Sequence, residues 1–447
     1  MSADAGRDFD LVLRDAVCVT PAGRIEAAIG VRSGRIAAIG DPGGWRAAES
    51  LSLSGLHVLP GLIDTQVHFR EPGLEHKEDL AAGTAGAAAG GIVAVFEMPN
   101  TKPSTLTAAD IADKLARAKG RAWTDHAFYV GAAAENAEAL GTLERMPGTC
   151  GVKIFMGSST GSLLVADDAT LRRVLANGSR RVAVHAEDEA RLEARKAIAA
   201  AARHARAHPE WRDVETALSA TRRLIAAARE VRRRVHVLHV TTAEEMAFLA
   251  DHKDIASVEV LPQHLILSAP ECYERLGSLA QMNPPIREER HRAALWQAVN
   301  DYTVDVMGSD HAPHTREEKA RPYPQSPSGL PGVQTMVPLM LDCVARGLLT
   351  LERLVDLLAH GPQRLFGIVG KGRIAVGYDA DFTVVDLKAR REIRNAWIHS
   401  RCGYTPFDGM HVTGWPVMTI IRGRTVMRED SLLGPPAGQP LRFFETL

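Results

Sequence analysis

Strongly apolar runs recur through the middle of the chain: VLPGLID (58–64), IVAVFEM (92–98), HAFYVG (126–131), GVKIFM (151–156), VAVHAE (182–187), VHVLHV (235–240), SVEVLP (257–262) and VDVMGS (304–309). Their hydrophobicity is nearly continuous rather than alternating, as expected of strands buried on both faces. Helix signals lie between them. Thr107 followed by Asp110 is a capping box ahead of Ile111 and Leu115, with Gly120 as the stop. Asp213 can cap a stretch in which Ala217, Leu218, Thr221, Leu224, Ile225 and Ala228 recur at helical spacing. Buried strands alternating with helices imply a parallel sheet covered on both sides, and eight repeats predict an α/β chain closed into a TIM-like (β/α)8 barrel. An open doubly wound sheet is the alternative. No GxGxxG or P-loop glycine pattern follows any of the runs, so a nucleotide-binding reading of that sheet lacks its phosphate cradle.

The two ends have a different texture. DLVLRDAVCVT (10–20) and AAIGVRSGRIAAIG (27–40) read as short strands, with Ser33 and Gly34 in a tight hairpin turn. GRIAVGYDADFTVVDL (372–387) and VMTIIRGRTVMRED (417–430) return to that style. Residues 1–57 and 370–447 are expected to build one small β-sandwich together, flanking a barrel of residues 58–369.

Composition narrows the function. The 447 residues carry 53 Lys+Arg against 54 Asp+Glu, a net charge of -1, so no overall positive field draws the chain to nucleic acid or anionic lipid. With 45% hydrophobic and 24% charged residues, the chain is neither mainly disordered nor fibrous. Its 5 cysteines are far apart with no CxxC pair, which signals neither a disulfide framework nor a thiolate zinc site and fits a reducing compartment. The opening MSADAGRDFD has acids where a secretory signal needs a basic start, and the small-residue run from Ala81 to Phe96 is too short for a bilayer core of about 30 Å. A cytoplasmic protein is expected.

In a barrel enzyme the catalytic groups sit at the C-terminal ends of the strands. Here the first run leads into Asp64, Gln66 and His68, the fourth contains Lys153, the fifth ends at His185, the sixth at His239 and the eighth at Asp310. One histidine near a strand is ordinarily a hydrogen-bonded core residue, but that reading weakens as each further strand adds another. Lys153 lies between Val152 and Ile154, where an unpaired ammonium would be costly. Either a buried carboxylate neutralises it or it reaches the barrel mouth, or its amine reacts with carbon dioxide to give a carbamate that bridges metal ions. With His185, His239 and Asp310, such a carbamate supplies nitrogen and oxygen donors suited to Zn2+. Metal-assisted hydrolysis follows, with Asp310 as general base and then acid. Arg70 offers a planar fork to a substrate carboxylate, unless a surface salt bridge with Glu71 or Glu75 occupies it.

PGLIDTQVHFREPG (60–73), MPNT (98–101), VHAED (184–188), NPPIR (283–287) and GSDHAPHTREEK (308–319), in this order, resemble the dihydroorotases of the amidohydrolase superfamily over about residues 55 to 335. The resemblance implies reversible hydrolysis of (S)-dihydroorotate to N-carbamoyl-L-aspartate, a step of pyrimidine biosynthesis. It implies that His68 is the second histidine of an HxH metal pair, Lys153 the bridging carboxylated lysine, His185 and His239 ligands of the other metal, and Asp310 the catalytic aspartate. Arg70, Asn100, Asn283 and His314 then hold the substrate's carboxylate and ring. A homodimer is also the family's habit. The segment from Thr315 to Gly332, rich in Pro, Ser and Gly, reads as a lid over the mouth or as a passive loop.

One departure matters. Gln66 stands where the family has the first histidine of HxH, and a neutral amide oxygen is a poorer zinc donor than imidazole. The expectation is one firmly bound Zn2+ held by Lys153, His185 and His239, with the site of His68, Lys153 and Asp310 weak or absent. Gln263, also where a histidine is commoner, is expected to matter less. Three readings remain: an active dihydroorotase, a related hydrolase of uncharged cyclic amides such as a dihydropyrimidinase, hydantoinase or allantoinase, or a catalytically lapsed homologue serving as a partner of aspartate transcarbamoylase.

Overall fold

The computed structural model describes residues 7–159 and 163–446; most of the acid-bearing opening segment, 1–6, lies outside them. Among the described residues a sheet of eight parallel strands runs strictly in chain order: β1 (Leu62–Val67), β2 (Ile92–Glu97), β3 (Asp125–Gly131), β4 (Thr149–Phe155), β5 (Val182–His185), β6 (Val235–Val237), β7 (Ala256–Val260) and β8 (Val306–Met307). The first strand returns to the last, because Val67 bridges His311 in parallel and the His68 amide donates to the His311 carbonyl at 2.7 Å. That closure, with no reversal of strand order, excludes the doubly wound alternative.

The outer helices form where their caps predict. Thr107 and Asp110 cap each other reciprocally at the start of Ala108–Ala118, and Gly120 beyond its end takes φ +71°. Val214–Glu230 begins on Asp213, which accepts from the Thr216 amide, and buries Ala217, Leu218, Thr221, Leu224, Ile225 and Ala228. Burying a leucine or isoleucine such as Leu224 or Ile225 is worth about 1.5–3 kcal/mol. Leu171, Val174 and Leu175 join the same core from helix Asp168–Ala176.

VLPGLID does not stay one strand. His57–Pro60 belongs to a flanking sheet and the barrel begins at Leu62, with the chain stepping across at Gly61, where a Cβ would fall 2.6 Å from the Val93 side chain. The flanking sheet mixes both ends of the chain: Ser431–Leu432, Arg424–Arg428, His411–Ile421, Phe382–Glu392, His57–Pro60, Val17–Thr20 and Gly23–Glu26, in that spatial order. A second sheet is formed by Phe9–Arg14, Ala28–Arg32, Arg35–Gly40 and Ala47–Ser52 alone. Its hairpin turns at Ser33 and Gly34, both with positive φ (50° and 73°), the pairing that a type I′ turn demands. In GRIAVGYDADFTVVDL only the part from Phe382 onward is strand. All five cysteines are buried and unpaired. No helix among the described residues is long and apolar enough to cross a membrane.

Candidate active site

The C-terminal ends of the strands gather the residues singled out above. β1 runs into Gln66 and His68, and the loop after β8 carries Asp310. His68 Nε2 stands 3.2 Å from Asp310 Oδ1, and Gln66 Nε2 donates to the same oxygen at 3.0 Å. His68 is turned by Asn100, whose Oδ1 lies 2.8 Å from its Nδ1. Across the bowl His185 Nδ1 faces His239 Nε2 at 3.0 Å, with the ring planes at 79°. Lys153, 1% exposed on β4, stands with Nζ 4.4 Å from the centre of the Phe155 ring. Burial lowers its amine to about 7 against the opposing pull of Asp310 and Glu259. Burial alone would raise Asp310, but the His68 hydrogen bond and the neighbouring charges of His68, His239 and Lys153 hold it well below the usual carboxylate range. The backbone is strained here: Arg70, His239 and Asp310 have φ of 65°, 39° and 44°. Such conformations cost on the order of 1 kcal/mol or more, and cluster where side chains must be aimed.

Arg70 is free of Glu71 and Glu75. Glu71 is taken by Arg121 at 2.6 Å, while Glu75 lies toward Arg117. Arg70 Nε donates to the Pro313 carbonyl at 3.2 Å and Nη2 approaches His314 Nε2 at 3.4 Å; no carboxylate pairs with it among the described residues. From there a chain of contacts leads on. His314 Nε2 lies 3.0 Å from the Ser328 carbonyl, Ser328 Oγ lies 3.3 Å from His208 Nε2, and that nitrogen donates to Asn283 Oδ1 at 2.8 Å. Segment 315–332 is bound into this wall. Lys319 Nζ donates to the carbonyls of Gln281, Pro327 and Gly329 at 3.2, 2.9 and 2.9 Å.

Several participants were not read from sequence. Glu187 accepts from His185 Nε2 at 2.9 Å and is itself paired with Arg212, so the Nδ1 lone pair of His185 is left to face the bowl. Its place inside VHAED was the available signal. Glu259, on β7 beneath the bowl, accepts from Thr65 Oγ1 at 2.9 Å; burial raises it to about 8. It is a lone charge inside SVEVLP, the same signal that drew attention to Lys153. Gln263, by contrast, turns away and donates to the Ser309 carbonyl at 2.7 Å.

Family membership follows from comparison. The model of the amidohydrolase family matches residues 57–426. The chain belongs to the amidohydrolase family. This amidohydrolase is 38% identical over 378 residues to a dihydroorotase of Halobacterium salinarum, covering 84% of the chain and 87% of that protein. It is 34% identical to an allantoinase of Deinococcus radiodurans over 97% of the chain and 99% of that protein. An L-hydantoinase structure from Arthrobacter aurescens superposes with a TM-score of 0.92 at 30% identity, covering 97% of this chain and 99% of that one.

The donor chemistry of the bowl suits a zinc ion. His239 Nδ1 and Gln66 Oε1 are buried without a hydrogen-bond partner among the described residues, and the facing nitrogens of His185 and His239 either share a proton or are ready to share a cation. Among the described residues no three His, Cys, Asp or Glu side chains by themselves form a metal site.

Proposed function

We propose that this amidohydrolase is a dihydroorotase that reversibly hydrolyses (S)-dihydroorotate to N-carbamoyl-L-aspartate. The observation that carries the reading is Arg70: a 1% exposed guanidinium at the rim of the bowl, beside His314 and free of any ion pair among the described residues. A buried cation without a counter-ion is costly, and a substrate carboxylate is the partner that would relieve it. Hydrolases of uncharged rings have no such use for it.

The unprotonated Lys153 amine would add to carbon dioxide, forming the N–C bond of a carbamate and releasing a proton. That carbamate, with His185 and His239, would hold the firm zinc; with His68 and Asp310 it would hold a weaker one, short of the ligand that Gln66 does not supply. When bound, zinc supplies Lewis-acid activation of water and of the ring carbonyl. Asp310, ionised and steadied by Gln66 and His68, takes the proton from water and delivers it to the departing ring nitrogen. Arg70 clamps the carboxylate, while Asn100, Asn283 and His314 hold the ring.

The test is dihydroorotate hydrolysis by the zinc-loaded chain and by Arg70→Met. A loss of about 1.5–3 kcal/mol of transition-state binding, read as a roughly ten- to hundred-and-fiftyfold fall in kcat/KM, is expected. Near-intact activity in that variant would favour an uncharged cyclic amide, and absence of turnover at saturating zinc would favour the lapsed partner.

A further inference from the structure

On the opposite, N-terminal face of the barrel, Arg180 and Arg181 precede β5, Arg234 precedes β6, and the tail strides past with Phe443 and Phe444. Together with Arg364 they line a cleft of ≈ 150 Å³, room for an anionic group but not for a whole drug-sized ligand, open to solvent beside Phe444. Two of these arginines are accounted for by the fold. Arg180 donates to the carbonyls of Glu144 and Thr149 at 2.5 and 2.6 Å and stacks over Phe443, and Arg364 pairs with Asp356 at 2.7 Å. The other two are not. Arg181 gives Nη1 to the Val235 carbonyl at 2.8 Å, but its Nε is buried with no partner, and neither Arg181 nor Arg234 has an ion pair among the described residues. Glu445, the acid in the cleft, has its carboxylate on the Ser179 hydroxyl at 3.2 Å. Burial, and after it the neighbouring Arg234, disfavour the charge on Arg181 against a weaker opposing pull from Asp305, so the two guanidinia feel each other. In a chain of net charge -1 this is a local excess of positive charge, bordered by an apolar wall. Phe444 there leaves 72% of its surface to solvent, a ring face open to stacking.

We propose that this cleft is a second ligand site, which binds a phosphorylated aromatic small molecule of the nucleoside mono- or diphosphate class. The phosphate oxygens engage the fork of Arg234 and the remaining N–H donors of Arg181, and the ring lies against Phe444 and Leu365. A nucleoside phosphate and free inorganic phosphate share the anionic chemistry; the ring distinguishes them.

The experiment is calorimetric titration of the full chain with ADP, UDP, pyrophosphate and orthophosphate, repeated on Arg234→Glu and Phe444→Ala. Both replaced side chains are exposed, and an unchanged unfolding midpoint verifies the fold. Expected are nucleotide binding that Arg234→Glu weakens at least tenfold, and a Phe444→Ala loss confined to the nucleotides. The proposal is overturned if no probe binds up to about 1 mM or if Arg234→Glu leaves binding unchanged. It is equally overturned as a nucleotide site if orthophosphate or pyrophosphate binds as tightly as ADP and UDP.

Discussion

Gln66 and Glu187 show how single side chains set the character of this bowl. Gln66 occupies one oxygen of Asp310 with its amide N–H while its own oxygen stays unpartnered. An imidazole in its place would return the missing nitrogen donor. Gln66→His is expected to raise tightly bound zinc from about one to about two per chain by elemental analysis; unchanged stoichiometry would contradict the assignment of the weak site. Glu187 acts one atom further out, choosing which nitrogen of His185 carries the proton. Glu187→Gln keeps the volume but weakens that preference, and zinc affinity should fall about 10–100-fold in competition with a chelator. The same scale shows what was legible. Lys153 stood out because a charge inside an apolar strand demands a reason, and Glu259 carried the same mark unread. The sequence leaves open whether Glu71 or Glu75 pairs with Arg70, because Arg121, which takes Glu71, arrives from a helix end fifty residues away.

Elements explain why the fold was readable. Each barrel strand is buried on both faces, and helices such as Ala108–Ala118, Asp168–Ala176, Val214–Glu230 and Ala243–Ala250 start on a side-chain cap, so the signals lie within a few residues of the structure they specify. Asp213 illustrates the strength of one such cap. Burial would raise its carboxyl, but hydrogen bonds from Arg191 and Thr216 overcome this and carry it down to about 2 from the ordinary 3.8. A depressed carboxylate adds stability that is full above its unfolded value and disappears as pH falls through the folded one. The unfolding midpoint should therefore drop between about pH 4 and pH 2. Asp213→Asn keeps a competent cap and cannot ionise, so its midpoint should fall less steeply over that interval; parallel curves would refute the argument. Where signals were not local, the reading slipped. VLPGLID looked continuous, and only the neighbouring Val93 and Asp381 show why the chain changes sheets at Gly61.

At the scale of the molecule, the barrel and the flanking sheet are tied by a buried ionic knot. Lys371 meets Asp125 of β3 at 2.7 Å, Asp379 at 3.3 Å and also Asp381, while Arg422 reaches the same Asp125. Removing one partner strands the others in low dielectric. Lys371→Met should cost roughly 3–5 kcal/mol in chemical denaturation, with hydrolysis per folded molecule retained; a loss under about 1 kcal/mol would mean that the acids find water or protonate cheaply.

The amino-acid sequence by itself determined the strand count, the caps, the alternation that closes a barrel, and the residue types brought to its rim, because burial and capping act over short stretches of chain. Tertiary structure alone decided which ions pair, which imidazole nitrogen faces the bowl, and which arginines are left without a partner. Those outcomes depend on distances between residues far apart in the chain, and electrostatic and hydrogen-bond energies change steeply over an ångström.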